Sequence, residues 1–203
     1  MRCRVLLVCG SLQKVSANRA ALDIARIHLS GLGLATVEDA DELGTIPAFN
    51  SDHLTDPPQA VVSFRQRISR CDVAMMSCPE YAGAMSGVLK NALDWIVGSG
   101  ELYTKPVAVL SAGTTGGVHA LRNLIQTLTW QGAHVVGQLG IAGPRTKSDP
   151  SGRLTDPATI TAIERLVQQL IDVRVLPVDE RLALVQHVTS SVGIEAGHIA
   201  SMS

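Results

Sequence analysis

DVAMMSCPEYAGAMSGVLKNALDW, residues 72–95, packs a strand, a loop and a helix into one stretch. Its first residues are apolar almost without a break, and continuous rather than alternating apolarity predicts a strand covered on both faces, as in a parallel sheet. Its end places Val88, Leu89, Ala92 and, just beyond, Ile96 on one helical face. Between the two stand a proline, an acid, a tyrosine and two glycines, more chemistry than a simple connection needs.

The same alternation extends in both directions. Apolar runs recur at RVLLVCG (4–10), PVAVLSAG (106–113) and HVVGQLGIAG (134–143), with a weaker strand at LATVED (34–39). Helical spacing fills the gaps: Leu22, Ala25, Leu29 and Leu32; Val61, Phe64 and Ile68; then HALRNLIQTLTWQG and DPATITAIERLVQQLIDV. Alternating strands and helices predict an α/β fold, a doubly wound parallel sheet with right-handed crossovers and three layers, α/β/α. Five strands of this length suit the order 2-1-3-4-5 of the flavodoxin-like arrangement. Residues 1–176 are read as one domain and 177–203 as a C-terminal extension, either one more helix or a frayed tail. The long segment 40–59 exceeds what a connection requires and is expected over one edge of the site.

Composition removes several classes of function. Seventeen basic and eighteen acidic side chains give a net charge of −1, which offers no electrostatic footprint for nucleic acid or an anionic membrane surface. No apolar run approaches the roughly 18–20 residues of a membrane span, and the N-terminal run is too short for a secretory signal. Cys3, Cys9, Cys71 and Cys78 form no close CxxC pair and lie in or beside apolar runs, as reduced, packed thiols do. The expectation is a cytoplasmic protein.

In a sheet of this order, ligands bind outside the carboxyl ends of the strands, where the strand order reverses. Three loops meet there: GSLQKVSANR, PEYAGAMSG and SAGTTGG. The first offers the hydroxyls of Ser11 and Ser16 and the amide of Asn18 at a helix start, suited to an anion. It is neither a Walker loop nor GxGxxG, which indicates a phosphate held without a metal. Ser16 or Asn18 serves equally well as a helix cap, and Glu80 and Tyr81 of the second loop as a solvated acid and a cover for the helix end. His53 and His119 have no metal-spaced partner, so no metal site is expected. Cys78 has no histidine to activate it, and the turn at Ser111 lacks the GxSxG of a nucleophile elbow.

Taken together, the three loops resemble the NADPH-dependent FMN reductase family, whose motifs are of the type GSLRxxSxN, PEYNxSxPGxLKNxxDW and SxGxxGG. Here they stand as GSLQKVSAN (10–18), PEYAGAMSGVLKNALDW (79–95) and SAGTTGG (111–117), in the same order. The resemblance covers about residues 3–175. It implies noncovalent FMN, with NAD(P)H as co-substrate and a free flavin, quinone or similar small molecule as acceptor. It implies no catalytic side chain, the chemistry belonging to the flavin. By that match Ser11, Gln13, Ser16, Ala17 and Asn18 lie at the phosphate, Pro79, Glu80, Tyr81, Ala82 and Gly83 along the ring, and Ser111 and Gly113 at its polar edge. Members commonly form homodimers or homotetramers, and Trp95, Ile96 and Tyr103 are the large groups that such a contact would use, or that pack on the sheet instead.

Three departures stand out. Gln13 replaces a frequent arginine and removes a cation from the phosphate; Ala82 replaces an asparagine; and AMSG replaces a proline-bearing segment. They keep a second reading open, a member with weak flavin binding and a regulatory or structural role. A third reading, an electron carrier in the manner of flavodoxin, conflicts with the near-neutral charge, since such carriers are usually strongly acidic.

Overall fold

The computed structural model describes residues 2–33, 35–40 and 42–194. Seven strands follow in chain order: β1 (Cys3–Cys9), β2 (Ala35–Ala40), β3 (Val73–Ser77), β4 (Glu80–Tyr81), β5 (Ala84–Met85), β6 (Pro106–Gly113) and β7 (His134–Ala142). Five of them form one parallel sheet in the order β2-β1-β3-β6-β7. Numbered by its own members the order is 2-1-3-4-5, as the sequence predicts. The first residue of the expected strand 34–39, Leu34, lies outside the described residues.

The apolar runs lack alternation because each strand feeds two cores. Leu6 and Val8 of β1 enter one, Val5 and Leu7 the other, and Ala74 and Met76 oppose Val73 and Met75 in the same way. The division follows from the two-residue period of an extended chain. Helices α1 (Ala17–Leu32) and α5 (Pro157–Asp172) cover one face, through Leu22, Ala25 and Leu29 and through Ile163, Val167 and Leu170. Helices α2 (Gln59–Arg70), α3 (Gly87–Asp94) and α4 (Val118–Trp130) cover the other through Phe64, Leu89, Leu93, Leu124 and Leu128.

Local chemistry sets several helix ends. The Asp156 carboxylate accepts the Thr159 N–H at 2.9 Å, with Pro157 in the first turn of α5, a favoured start. Gly33 closes α1 in the left-handed region. Helix α6 (Val178–Ser191) places Val185 in one core and Val188 in the other, and Ser191 accepts from the Gln138 side chain of β7 at 2.6 Å. It therefore wraps the β7 edge, which shields otherwise unpaired backbone groups. The last nine residues of the expected 177–203 extension lie outside the described residues.

The segment after β2 reaches the first loop, where a Cβ on Gly44 would come 3.3 Å from the Leu12 side chain, and beyond that it is fastened to α3: Asn91 donates to the Pro47 carbonyl at 2.9 Å and accepts the Phe49 N–H at 2.8 Å, and the Trp95 indole donates to the same Pro47 carbonyl at 2.9 Å. The Phe49 ring meets Trp95 edge-on at 5.2 Å between centroids. Trp95 and Ile96 are consequently buried within the chain, and only Tyr103 of the three expected contact residues is exposed.

At the carboxyl edge the strand ends are tied side to side. The Gly10 N–H donates to the Ser77 carbonyl at 2.7 Å and the Cys78 N–H to the Leu110 carbonyl at 2.9 Å. Buried Asn18 completes the join: its Oδ1 accepts from the Ser77 hydroxyl at 2.8 Å and from the Ala112 N–H at 3.0 Å, while its Nδ2 donates to the Ala112 carbonyl at 3.0 Å. Asn18→Ala strands polar groups on β3 and β6 and is expected to lower unfolding free energy by about 2–4 kcal/mol. Urea denaturation of flavin-free protein tests this; unchanged stability would mean that Asn18 serves a ligand and not the sheet.

Candidate functional site

The three loops read from the sequence do converge. Ser11, Gln13, Ser16, Ala17 and Asn18 from the first, Pro79, Glu80 and Tyr81 from the second, and Ala112, Gly113 and Thr114 at the end of β6 wall one cavity of about 510 Å³. A fourth segment closes it, with Pro144, Arg145, Ser148, Asp149, Pro150 and Gly152. Its sequence, GPRTKSDPSG, is rich in turn-forming residues and follows a strand at the same carboxyl edge. Those two signals mark it as a fourth site loop, although the sequence reading stopped at three.

The first loop presents an open helix start. Ser16 occupies the cap position of α1 but makes no side-chain cap bond, so its hydroxyl leaves the Ala17 and Asn18 amides at the helix start uncapped. Such amides lack acceptors within the helix and carry its positive end. Ser16 is only 8% exposed, and the surface that remains to it lies in the cavity wall. Asn18 reaches the same wall, with its Oδ1 taken up by the Ser77 hydroxyl and the Ala112 N–H and one Nδ2–H given to the Ala112 carbonyl. What Asn18 offers a ligand is its second Nδ2–H and its backbone.

In the second loop, Glu80 and Tyr81 pair with Met85 and Ala84 across a hairpin whose central residues, Ala82 and Gly83, both have positive φ, 51° and 73°. Two such residues define the type I′ geometry that favours Asn-Gly. The alanine thus bears on the backbone: Ala82 and Gly83 form the turn and do not line the cavity. One oxygen of the Glu80 carboxylate, Oε2, accepts the His119 and Ala120 amides at 2.8 and 3.1 Å, so this wall residue also caps α4. Tyr81 stays exposed on the rim.

Ser111 is fully buried beneath the wall and does not line it. Gly117 turns the chain directly over it with a φ of 68°, and a Cβ there would come 1.8 Å from the Ser111 oxygen. Only glycine fits. Gly113, two residues after Ser111, faces the cavity and accepts from the Gly143 N–H at 3.1 Å, anchoring the fourth segment.

That segment is folded by Asp149, whose carboxylate accepts from the Ser151 hydroxyl at 2.6 Å, from the Ser151 and Arg153 amides, and from the Arg153 guanidinium at 3.0 Å. The Ser151 hydroxyl first, with Arg153 and the Ser151 amide behind it, holds the Asp149 pKa down to about 2.

Other candidates are absent from the cavity. His119 and His53 are exposed, and among the described residues no group of three His, Cys, Asp or Glu is placed to hold a metal. Cys78 is fully buried, and burial pushes its thiol up to about 11, which leaves no thiolate to act as a nucleophile. Cys9 is raised by the same cause.

A doubly wound sheet with an open helix start and a polar, glycine-lined cavity at its switch point defines a nucleotide-cofactor protein of the α/β class. The chain belongs to the NADPH-dependent FMN reductase family, whose model matches residues 3–146. It is 37% identical over 174 residues to an NAD(P)H-dependent FMN reductase of Pseudomonas aeruginosa, an alignment covering 82% of this chain and 92% of the relative. It is 32% identical over 184 residues to an NADPH:quinone oxidoreductase of Arabidopsis thaliana, with 84% and 90% covered. Among solved structures, the flavoenzyme NAD(P)H:(acceptor) oxidoreductase of Paracoccus denitrificans superposes with a TM-score of 0.68 at 25% identity, over 83% of this chain and 95% of that one.

Two substitutions test the walls. Ala82→Asn or Ala82→Gly relieves a left-handed alanine and is expected to stabilise the protein by about 0.5–1 kcal/mol, raising Tm by roughly 1–4 °C; a lower Tm in both would rule out the turn assignment. Asp149 has a depressed folded pKa, so its contribution is complete above its unfolded value of 3.8 and fades as pH falls through about 2. No change is expected between pH 5 and 9, whereas Asp149→Asn should reduce hydrogen-exchange protection at the Ser151 and Arg153 amides. Unaltered protection there would show that the carboxylate does not hold the turn.

Proposed function

We propose that this chain is an NAD(P)H oxidoreductase that works through bound FMN and delivers electrons to a quinone, a free flavin or a similar diffusible acceptor. The observation that carries the reading is the unpartnered start of α1, with Ser11 and Ser16, opening into a cavity whose other walls are the 79–81 loop and the end of β6. The residues fit the cofactor. An anion is wanted where Ser16 is buried without a partner, and a flat polar ring is suited by backbone groups that approach without side chains, as at Gly113.

When bound, FMN supplies the capacity to accept a hydride equivalent and pass it on. The chain's own contribution is placement. Ser11, Ser16 and the first-turn amides, with Gln13 and Ala17 beside them, hold the phosphate, and Asn18 aligns that helix start with the strands. Pro79 and Tyr81 flank the ring, while Ala112, Gly113 and Thr114 offer backbone groups at its polar edge. Glu80, Ala82, Gly83 and Ser111 act one step back, shaping the loops. Holding two flat reactants in one orientation lowers the barrier by removing the entropy cost of bringing them together.

The native assembly is a homo-oligomer. Ile96 and Trp95 are internal, so its contact surface draws on the exposed groups around Val97, Tyr103 and Trp130, the last two brought together where the Thr104 N–H meets the Gly132 carbonyl at 2.8 Å. Four buried, unpaired thiols suit a reducing, cytoplasmic setting, and no described helix is long and apolar enough to cross a membrane.

Purified protein is expected to be yellow, or to become so with FMN, and to oxidise NADPH when a quinone is supplied. Light scattering should give a multiple of 21.4 kDa. A colourless protein with no flavin-dependent NADPH oxidation at micromolar FMN would overturn the enzyme reading, and a monomeric mass the assembly.

A further inference from the structure

Three of the residues walling the cavity carry formal charge: Glu80, Asp149 and Arg145. Both acids are engaged elsewhere. Glu80 sits on the amides of α4, and Asp149 is offset by the Arg153 guanidinium at 3.0 Å. Arg145 differs from them: among the described residues no acid stands within ion-pair distance of it and no acceptor within hydrogen-bond distance.

Its position is set at both ends of the fourth segment. Gly143 is bonded to Gly113 of the cavity wall, and Gly152 lies so near the first loop that a Cβ on it would come 2.5 Å from Val15 Cγ1. Between these anchors the short 3-10 helix Pro144–Lys147 carries Arg145 over the cavity that the start of α1 also faces. The unneutralised guanidinium therefore shares a space with the positive end of a helix. Independently of both, the Ser16 hydroxyl, on a residue more than nine-tenths buried, lacks a partner in the same wall. Arg145 is exposed and hydrated, so its charge is available: an anion placed between it and the helix start would gain from both positive ends and from the Ser16 hydroxyl without displacing an existing protein partner.

We propose that Arg145 is the phosphate-recognising cation of this cavity, pairing with a phosphomonoester held at the α1 start and supplying the charge that Gln13 lacks. The inference rests on the flavin-site reading, and the FMN 5′-phosphate is the group that it assigns. Guanidinium and phosphate match in charge and in forked geometry, and the contact is stronger than one between neutral groups. The other phosphomonoester that reaches such a site is the 2′-phosphate of NADPH.

The test uses flavin-free full-length protein, titrated with FMN and with riboflavin by fluorescence quenching, in native, Arg145→Ala and Arg145→Lys forms. KM for NADPH and NADH is measured alongside. Native protein should prefer FMN. Arg145→Ala should weaken FMN by about 10- to 100-fold, the worth of a charge-assisted contact, with riboflavin affinity and Tm unchanged. Arg145→Lys should recover part of the loss, and the native FMN preference should shrink as salt rises. Loss confined to the NADPH-over-NADH preference would support the same phosphate recognition with the dinucleotide as its source. Equal loss of FMN and riboflavin, or no change in either flavin or in the nucleotide preference, would overturn the proposal. Native protein that binds neither flavin would sink the flavin reading itself, and this inference with it.

Discussion

One buried carboxamide ties together the edge on which the site is built. Parallel strands end in carbonyls and amides that neighbouring strands no longer satisfy, and at the centre of this sheet Asn18 takes up two such groups on Ala112 of β6 together with the Ser77 hydroxyl of β3. Because Asn18 lies in the first turn of α1, the same bonds fix where that helix begins relative to the strands. The open amides of the helix are thereby aimed by the sheet itself, with no help from a flexible loop. A buried polar group held by three hydrogen bonds is costly to misplace, so the carboxyl edge is defined before any ligand arrives.

The motif residues divide between support and contact. Asn91 on α3 and Trp95 at its C-terminal cap, one turn apart, hold Pro47 and Phe49. Glu80 caps α4, and Gly117 clears Ser111. Residues at the wall itself contribute mostly backbone, as at Ala17, Ala112 and Gly113. A site that binds flat and charged groups through amides needs its loops held in place, and the conspicuous side chains of the motifs do that holding.

This division explains what the sequence disclosed. Strand order and layers were readable because continuous apolarity in runs such as VLLV and VAMM has one common cause, burial on both faces. The meeting of loops 10–18, 79–83 and 111–113 followed from topology. Side-chain direction did not follow: nothing in the letters of Asn18 or Glu80 says whether their polar atoms face the cavity or the scaffold, since capping and ligand binding use the same residue types. The 144–152 segment carries its signal in turn residues that follow a strand at the carboxyl edge, but its closure over the cavity depends on contacts that letters do not show, Gly143 against Gly113 and Gly152 against Val15. For Trp95 and Ile96 size alone left open an outer contact or packing within the chain, and the structure buries both, Trp95 under the Phe49 segment.

The burial of the thiols bears on chemical durability. Quinones are electrophiles as well as oxidants, and they add readily to thiolates. Cys9 and Cys78 sit at the ends of β1 and β3, at the very edge where such an acceptor would dock, yet both are enclosed and their thiols are held in the protonated form. Buried, protonated sulfur is inert toward addition. The packing that makes these cysteines useless as nucleophiles would thus protect the protein from arylation by a quinone acceptor of the kind proposed above.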